Sequence, residues 1–147
     1  LPSGTDRVWA AVKDLPASSR PSIVINLQGD LPNIGAESLQ AVLRPLENPA
    51  VDIGTIASII KNPEEWTNPN VVKMALAKDR ATRGRGLDVS RNPIPFGADT
   101  YYHHIGVYAY RYQALERFVS LPASPLEKAE KLEQLRAMEA GMRIDVE

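Results

Sequence analysis

Cysteine is absent from the 147 residues. Disulfides, thiolate-bound zinc, iron–sulfur clusters and a thiol nucleophile are therefore excluded. Histidine occurs only twice, as the adjacent pair His103 and His104, which confines imidazole chemistry to one point in the chain. No apolar run approaches the length of a membrane span. Neither sign of charge dominates: 17 Lys and Arg stand against 18 Asp and Glu, for a formal net charge of −1. Such a chain has no general attraction to nucleic acid or to an anionic membrane. A P-loop, a Gly-x-Gly-x-x-Gly fingerprint and a Ser-His-Asp constellation are missing too. What is present is globular: 44% hydrophobic and 24% charged residues argue against disorder. The length suits a single domain, residues 1–147, with a core that needs no covalent staples.

The twelve prolines fall mostly between periodic segments and so punctuate them. Thr5 and Asp6 open a short helical pattern that Pro16 closes. Ser22 to Leu27 is a short β-branched run that reads as a strand buried on both faces. From about Ala36 to Leu46, Leu39, Val42, Leu43 and Leu46 form a core-facing helical stripe. Asp52 to Ile60 is β-rich, and Asn62-Pro63 suits a helix cap and first position. Val71 to Ala77, Leu87 to Ser90 and His103 to Tyr110 read as strands, with Lys78 to Arg85 an exposed turn. Leu115, Phe118 and Val119 mark a short helix. Ser124-Pro125-Leu126-Glu127 is a capping box opening a helix that runs through Met138 to Gly141. Arg143 to Val146 alternates as a strand. Alternating strands and helices predict an α/β domain with a mainly parallel sheet. The close succession of strands over residues 71–110 makes that sheet mixed.

Candidate chemistry is sparse. In open α/β sheets ligands bind beyond the carboxyl ends of strands, which selects Gln28-Gly29-Asp30. There Asp30 offers a hard oxygen for Mg²⁺, although an ordinary turn explains the same residues. Ser3-Gly4-Thr5 precedes a helix and is read either as a phosphate or base contact or as a cap. His103 and His104, adjacent in a strand, point to opposite faces and make a poor joint metal site. Glu133 and Gln134 lie off the apolar stripe of the capped helix.

Six motifs occur in order: Ser3-Gly4-Thr5-Asp6-Arg7; Gln28-Gly29-Asp30-x-Pro32; Asn68-Pro69-Asn70-x-Val72-Lys73; Ser90-Arg91-x-x-Ile94-Pro95; His104-Ile105-Gly106-x-Tyr108-Ala109-Tyr110-Arg111; and Ser124-Pro125-Leu126-Glu127-x-x-Glu130-x-Leu132-Glu133-Gln134-Leu135-Arg136. Together they resemble the 3-deoxy-manno-octulosonate (Kdo) cytidylyltransferases over nearly the whole chain. The resemblance implies a nucleotide-diphospho-sugar transferase-like fold and a cytoplasmic, homodimeric, Mg²⁺-dependent enzyme. Its reaction would convert CTP and Kdo to CMP-Kdo and pyrophosphate for lipopolysaccharide synthesis. By the same resemblance, Asp30 is the catalytic metal carboxylate, and Ser3, Gly4, Thr5 and Arg7 lie near the cytosine. Gln28, His104, Tyr108, Glu133 and Gln134 line the sugar pocket.

The family's opening strand, its basic triphosphate loop and its second metal carboxylate have no counterpart between residues 1 and 147. The expectation is a fragment that is inactive alone. Leu31 and Asp88-Val89 depart from the family pattern, and Asp88 is expected to face solvent or to mark a divergent strand. The alternatives are a cytidylyltransferase for sialic acid or an amino-Kdo, and a non-catalytic homologue serving as a binding or dimerisation module.

Overall fold

The computed structural model describes residues 3–27, 33–78 and 82–147. Ser3 caps α1 (Gly4–Val12): its hydroxyl accepts from the Asp6 N–H at 3.2 Å, and Asp6 accepts in return from the Ser3 N–H at 3.1 Å. β1 (Ile23–Leu27) follows, half-buried where the sequence suggests burial on both faces. α2 (Ala36–Leu43) stops short of Leu46, and residues Arg44–Glu47 continue as a tighter 3-10 turn. Pro45, at the start of that turn, has no N–H to carry the helix on. β2 (Ile53–Ile59) leads to a second 3-10 turn, Pro63–Thr67, where Asn62 Oδ1 accepts from the Glu64 N–H. The cap is as expected; the helix it opens is 3-10.

β3 (Lys73–Lys78), β4 (Gly84–Ser90) and β5 (Tyr102–Arg111) come next. Asp88 faces solvent, so its departure from the family pattern buries no charge. α3 (Tyr112–Ser120), α4 (Pro125–Glu130), α5 (Gln134–Glu139) and β6 (Ile144–Val146) complete the chain.

Six strands form one sheet in the order β1-β5-β2-β6-β4-β3. It is mixed, as expected, but not mainly parallel. Among the described residues only β2–β6 runs parallel, and every other pairing is antiparallel. The reason is chain economy: β3, β4 and β5 succeed one another without a crossover helix, and a parallel pair needs one. The sheet also curls until Lys73 of β3 pairs with His103 of β5. β5 is its spine. Val107 and Ala109 pack towards Val42 and Leu46 on one face, while Tyr108 and Tyr110 pack against Leu115 and Phe118 on the other. That alternation buries both faces of β5, so its residues have little freedom to shift register.

The long helix expected from Leu126 to Met138 is broken. Lys131 adopts φ 58°, ψ 42°, the left-handed conformation, and closes α4 with its N–H on the Glu127 carbonyl. The apolar stripe persists through the break, since Leu132 and Leu135 both enter the cluster with Met74, Val89 and Val146. Periodicity alone therefore could not reveal it. The broken turn is held from outside by Ser90 and Arg91. Ser90 Oγ and the Arg91 N–H donate to Glu130 Oε1 at 2.7 and 2.9 Å, and Arg91 Nε donates to the Glu130 carbonyl at 2.6 Å. Arg91 also reaches the Pro69 carbonyl, and the fully buried Lys73 donates to the carbonyls of Asn68 and Arg91, both at 2.7 Å. Three of the motifs thus meet as a strap of backbone carbonyls gathered by two cations.

Candidate active site

The break between α4 and α5 opens a cavity of about 370 Å³ over β5. His104, Tyr108, Glu133 and Gln134 all line it, with Lys131 at its rim. Four of the five residues assigned to a sugar pocket are therefore brought together. The fifth, Gln28, and the metal candidate Asp30 lie outside the described residues, as does Leu31. A larger hollow of about 680 Å³ between α2 and β2 is mostly apolar-lined. Its polar lining includes Arg44 and Glu147, which pair with each other at 3.5 Å.

His104 is buried on β5. Its Nε2 lies 2.9 Å from Thr55 Oγ1, and its Nδ1 lies 3.3 Å from Gln134 Nε2. Burial, with His103 adding like charge, pushes the imidazole down to about 3, so it is neutral at physiological pH. His103 borders the same cavity, although alternation predicts opposite faces. Burial lowers its pKa as well. The Tyr108 ring packs 5.3 Å from that of His104, and burial raises its phenol pKa well above the ordinary value.

Glu133 sits at the start of α5. Its Oε2 accepts from Thr5 Oγ1 at 3.3 Å, and Thr5 Oγ1 accepts from Asn26 Nδ2 at 3.2 Å. The other carboxylate oxygen, Oε1, is buried without a partner. Burial raises the carboxyl pKa against the opposing pull of Ser3, Thr5 and Arg136. The Gln134 amide nitrogen is turned to His104 Nδ1, so its carboxamide oxygen is the part of that side chain left for other donors. The cavity therefore presents a buried acceptor in want of donors, Glu133 Oε1, beside the Gln134 carboxamide. Hydroxyl groups would supply them.

Of the residues assigned to the nucleotide, Thr5 is hydrogen-bonded into this network, and Ser3 also favours the ionised Glu133. Ser3 serves as the cap, Gly4 is exposed with open space about it, and Arg7 is exposed. Sequence reasoning missed Asn26, Thr55 and the left-handed Lys131. An asparagine or threonine within a strand carries no local mark of its partner, and a lysine is not the residue expected at positive φ. Among the described residues no three His, Asp or Glu side chains gather as a metal site.

The family model for cytidylyltransferases matches residues 1–144. A 3-deoxy-manno-octulosonate cytidylyltransferase of Rhodopseudomonas palustris is 58% identical over 145 residues, spanning 99% of this chain and 59% of the relative. One from Agrobacterium fabrum is 54% identical over 145 residues, covering 99% of this chain and 58% of the relative. Among solved structures, CMP:2-keto-3-deoxy-manno-octonic acid synthetase complexed with CTP superposes with a TM-score of 0.87 at 34% identity. That match covers all of this chain and 59% of the other. The chain spans a little under three-fifths of the length of these relatives.

Proposed function

Because the chain belongs to the cytidylyltransferase family, we propose that it forms the sugar-acid pocket of a cytidylyltransferase that joins CTP to Kdo. The anomeric hydroxyl of the sugar attacks the α-phosphorus of CTP, the bond to the β-phosphate oxygen breaks, and pyrophosphate leaves. This chemistry asks the protein for in-line placement more than for a nucleophile. The observation that carries the reading is the buried, unpartnered Glu133 Oε1 beside the Gln134 carboxamide, in a cavity walled by neutral His104 and Tyr108. A polyhydroxylated ligand supplies donors to both side chains. Thr5 couples α1 to Glu133, so the segment assigned to the cytosine and the sugar pocket share one hydrogen-bonded chain.

Mg²⁺ is proposed on Asp30, where a bound ion would neutralise phosphate charge. The described residues offer no alternative cluster of ligands. A cytoplasmic homodimer is proposed from the family resemblance. No described helix is long and apolar enough to cross a membrane, and the exposed Ile59, Leu87 and Phe96 are the candidates for a subunit contact. Sedimentation at micromolar concentration tests the dimer.

The deciding assay is pyrophosphate release with CTP and a panel of Kdo, amino-Kdo and sialic acid, using a polypeptide that carries this chain at its relatives' full length. Kdo is expected to be the preferred acceptor. Asp30→Asn is expected to abolish turnover while leaving the fold intact, and the 147-residue chain alone to release none. Preference for sialic acid would assign the related activity. Failure with every sugar acid would favour a binding module.

A further inference from the structure

Thr55 lies where β2 and β5 fall out of register. It pairs with Tyr108, whereas the next residue, Ile56, pairs with Ile105, so Gly106 and Val107 bulge from β5. A bulge leaves carbonyls off the ladder and re-aims the neighbouring side chains. The Thr55 hydroxyl answers both consequences. Its oxygen lies 2.8 Å from the Val107 carbonyl, 3.3 Å from that of Ile105 and 2.9 Å from His104 Nε2, and the residue is entirely buried.

A hydroxyl has one proton. The short contact to Val107 is attractive only if that proton lies on the carbonyl. Thr55 Oγ1 is then an acceptor towards His104, so Nε2 must carry the imidazole hydrogen. A neutral imidazole so protonated has a bare Nδ1, which accepts from the Gln134 amide. The Gln134 carboxamide is thereby set with its nitrogen on the histidine and its oxygen left for the cavity. The alternative arrangement reverses every member of the chain and places two acceptor oxygens, Thr55 Oγ1 and Val107 O, in unshielded contact.

We propose that Thr55 is a positioning residue: from behind the pocket it holds His104 as the Nε2–H tautomer and so aims the Gln134 carboxamide oxygen at the ligand. The tautomer lock stands on geometry alone; its effect on sugar-acid binding rests on the functional reading above.

With only two histidines in the chain, ¹⁵N-histidine labelling resolves the question directly. Long-range ¹H–¹⁵N correlations of the full chain at neutral pH are expected to show His104 protonated at Nε2 and bare at Nδ1. In Thr55→Val the acceptor is gone, and His104 is expected to shift to the Nδ1–H form with Gln134 reversed. Thr55→Ser is expected to restore the original form. An Nδ1–H or averaged His104 in the unaltered chain overturns the lock even if Thr55→Val does not fold. A Thr55→Val spectrum that keeps Nε2–H overturns it as well.

Titration with Kdo supplies the second arm. Thr55→Val is expected to bind about tenfold more weakly, the scale of one ligand hydrogen bond, and Thr55→Ser within about twofold of the original. Unchanged affinity in Thr55→Val overturns the positioning role. An unaltered chain that binds no sugar acid counts against the functional reading, and the tautomer spectra then decide on Thr55 by themselves.

Discussion

His104 is an imidazole that the fold keeps neutral. Its pKa is depressed from an ordinary 6.5 to about 3 because burial penalises the charged form. The unfolded chain therefore takes up a proton that the folded one refuses. Stability contributed by this residue is complete above pH 6.5 and declines as pH falls towards 3, by up to about 1.4 kcal/mol per pH unit. Histidine ¹H–¹³C spectra are expected to show His104 untitrated down to about pH 4, with His103 titrating below its ordinary value. A His104 midpoint near 6 would contradict the buried network. Glu133 has the opposite sign. Burial raises its pKa, so its favourable contribution is present below the ordinary carboxyl value of 4.5 and lost as pH rises through the raised one. Together with the orphaned Oε1, this makes Glu133 costly at neutral pH. Glu133→Gln is expected to stabilise the chain by about 1 kcal/mol in urea denaturation at pH 7 while weakening sugar-acid binding. A variant less stable than the original would show that the carboxylate is a structural asset.

At the scale of elements, the break between α4 and α5 decides the site. A continuous helix from Leu126 would carry Glu133 and Gln134 off the apolar stripe and towards solvent, whereas the turn at Lys131 brings them over β5. Lysine in the left-handed region carries a Cβ penalty that glycine lacks. Lys131→Gly is accordingly expected to raise stability by about 1 kcal/mol, and Lys131→Val to lower it, both read from denaturation midpoints. Equal midpoints would mean that the Ser90 and Arg91 strap alone dictates the break. Both helix starts were legible in the sequence as local spacings: the cap at Ser3 is a full capping box, whereas at Ser124 the N–H donates to Glu127 Oε2 but the hydroxyl is buried without a partner. The break was not legible, since both half-helices share one apolar stripe and the residues that hold the turn come from β4, some forty positions away.

For the molecule as a whole, the layers meet at Gly54. A Cβ there would collide with the Val42 carbonyl of α2, so the absence of a side chain lets the helix lie directly on β2. Gly54→Ala is expected to cost about 1–3 kcal/mol, the range for overpacking a close contact. The measurement is thermal denaturation followed by circular dichroism. An unchanged midpoint would show that α2 can slide on the sheet.

Composition and pattern were sufficient for the class of fold, for the positions of most strands, and for the exclusion of thiol chemistry, because these follow from residue type and local period. The ordered motifs were sufficient for the family for a similar reason, as each is a short run of neighbours. What tertiary structure alone decided was the antiparallel majority of the sheet, the bulge of β5 opposite Thr55, and the convergence of Thr5, Asn26, Thr55, Glu133 and Gln134. Those contacts join residues separated by 21 to 128 positions. A one-dimensional pattern records which side chains share a face of one element. It holds no record of which distant element will complete their hydrogen bonds.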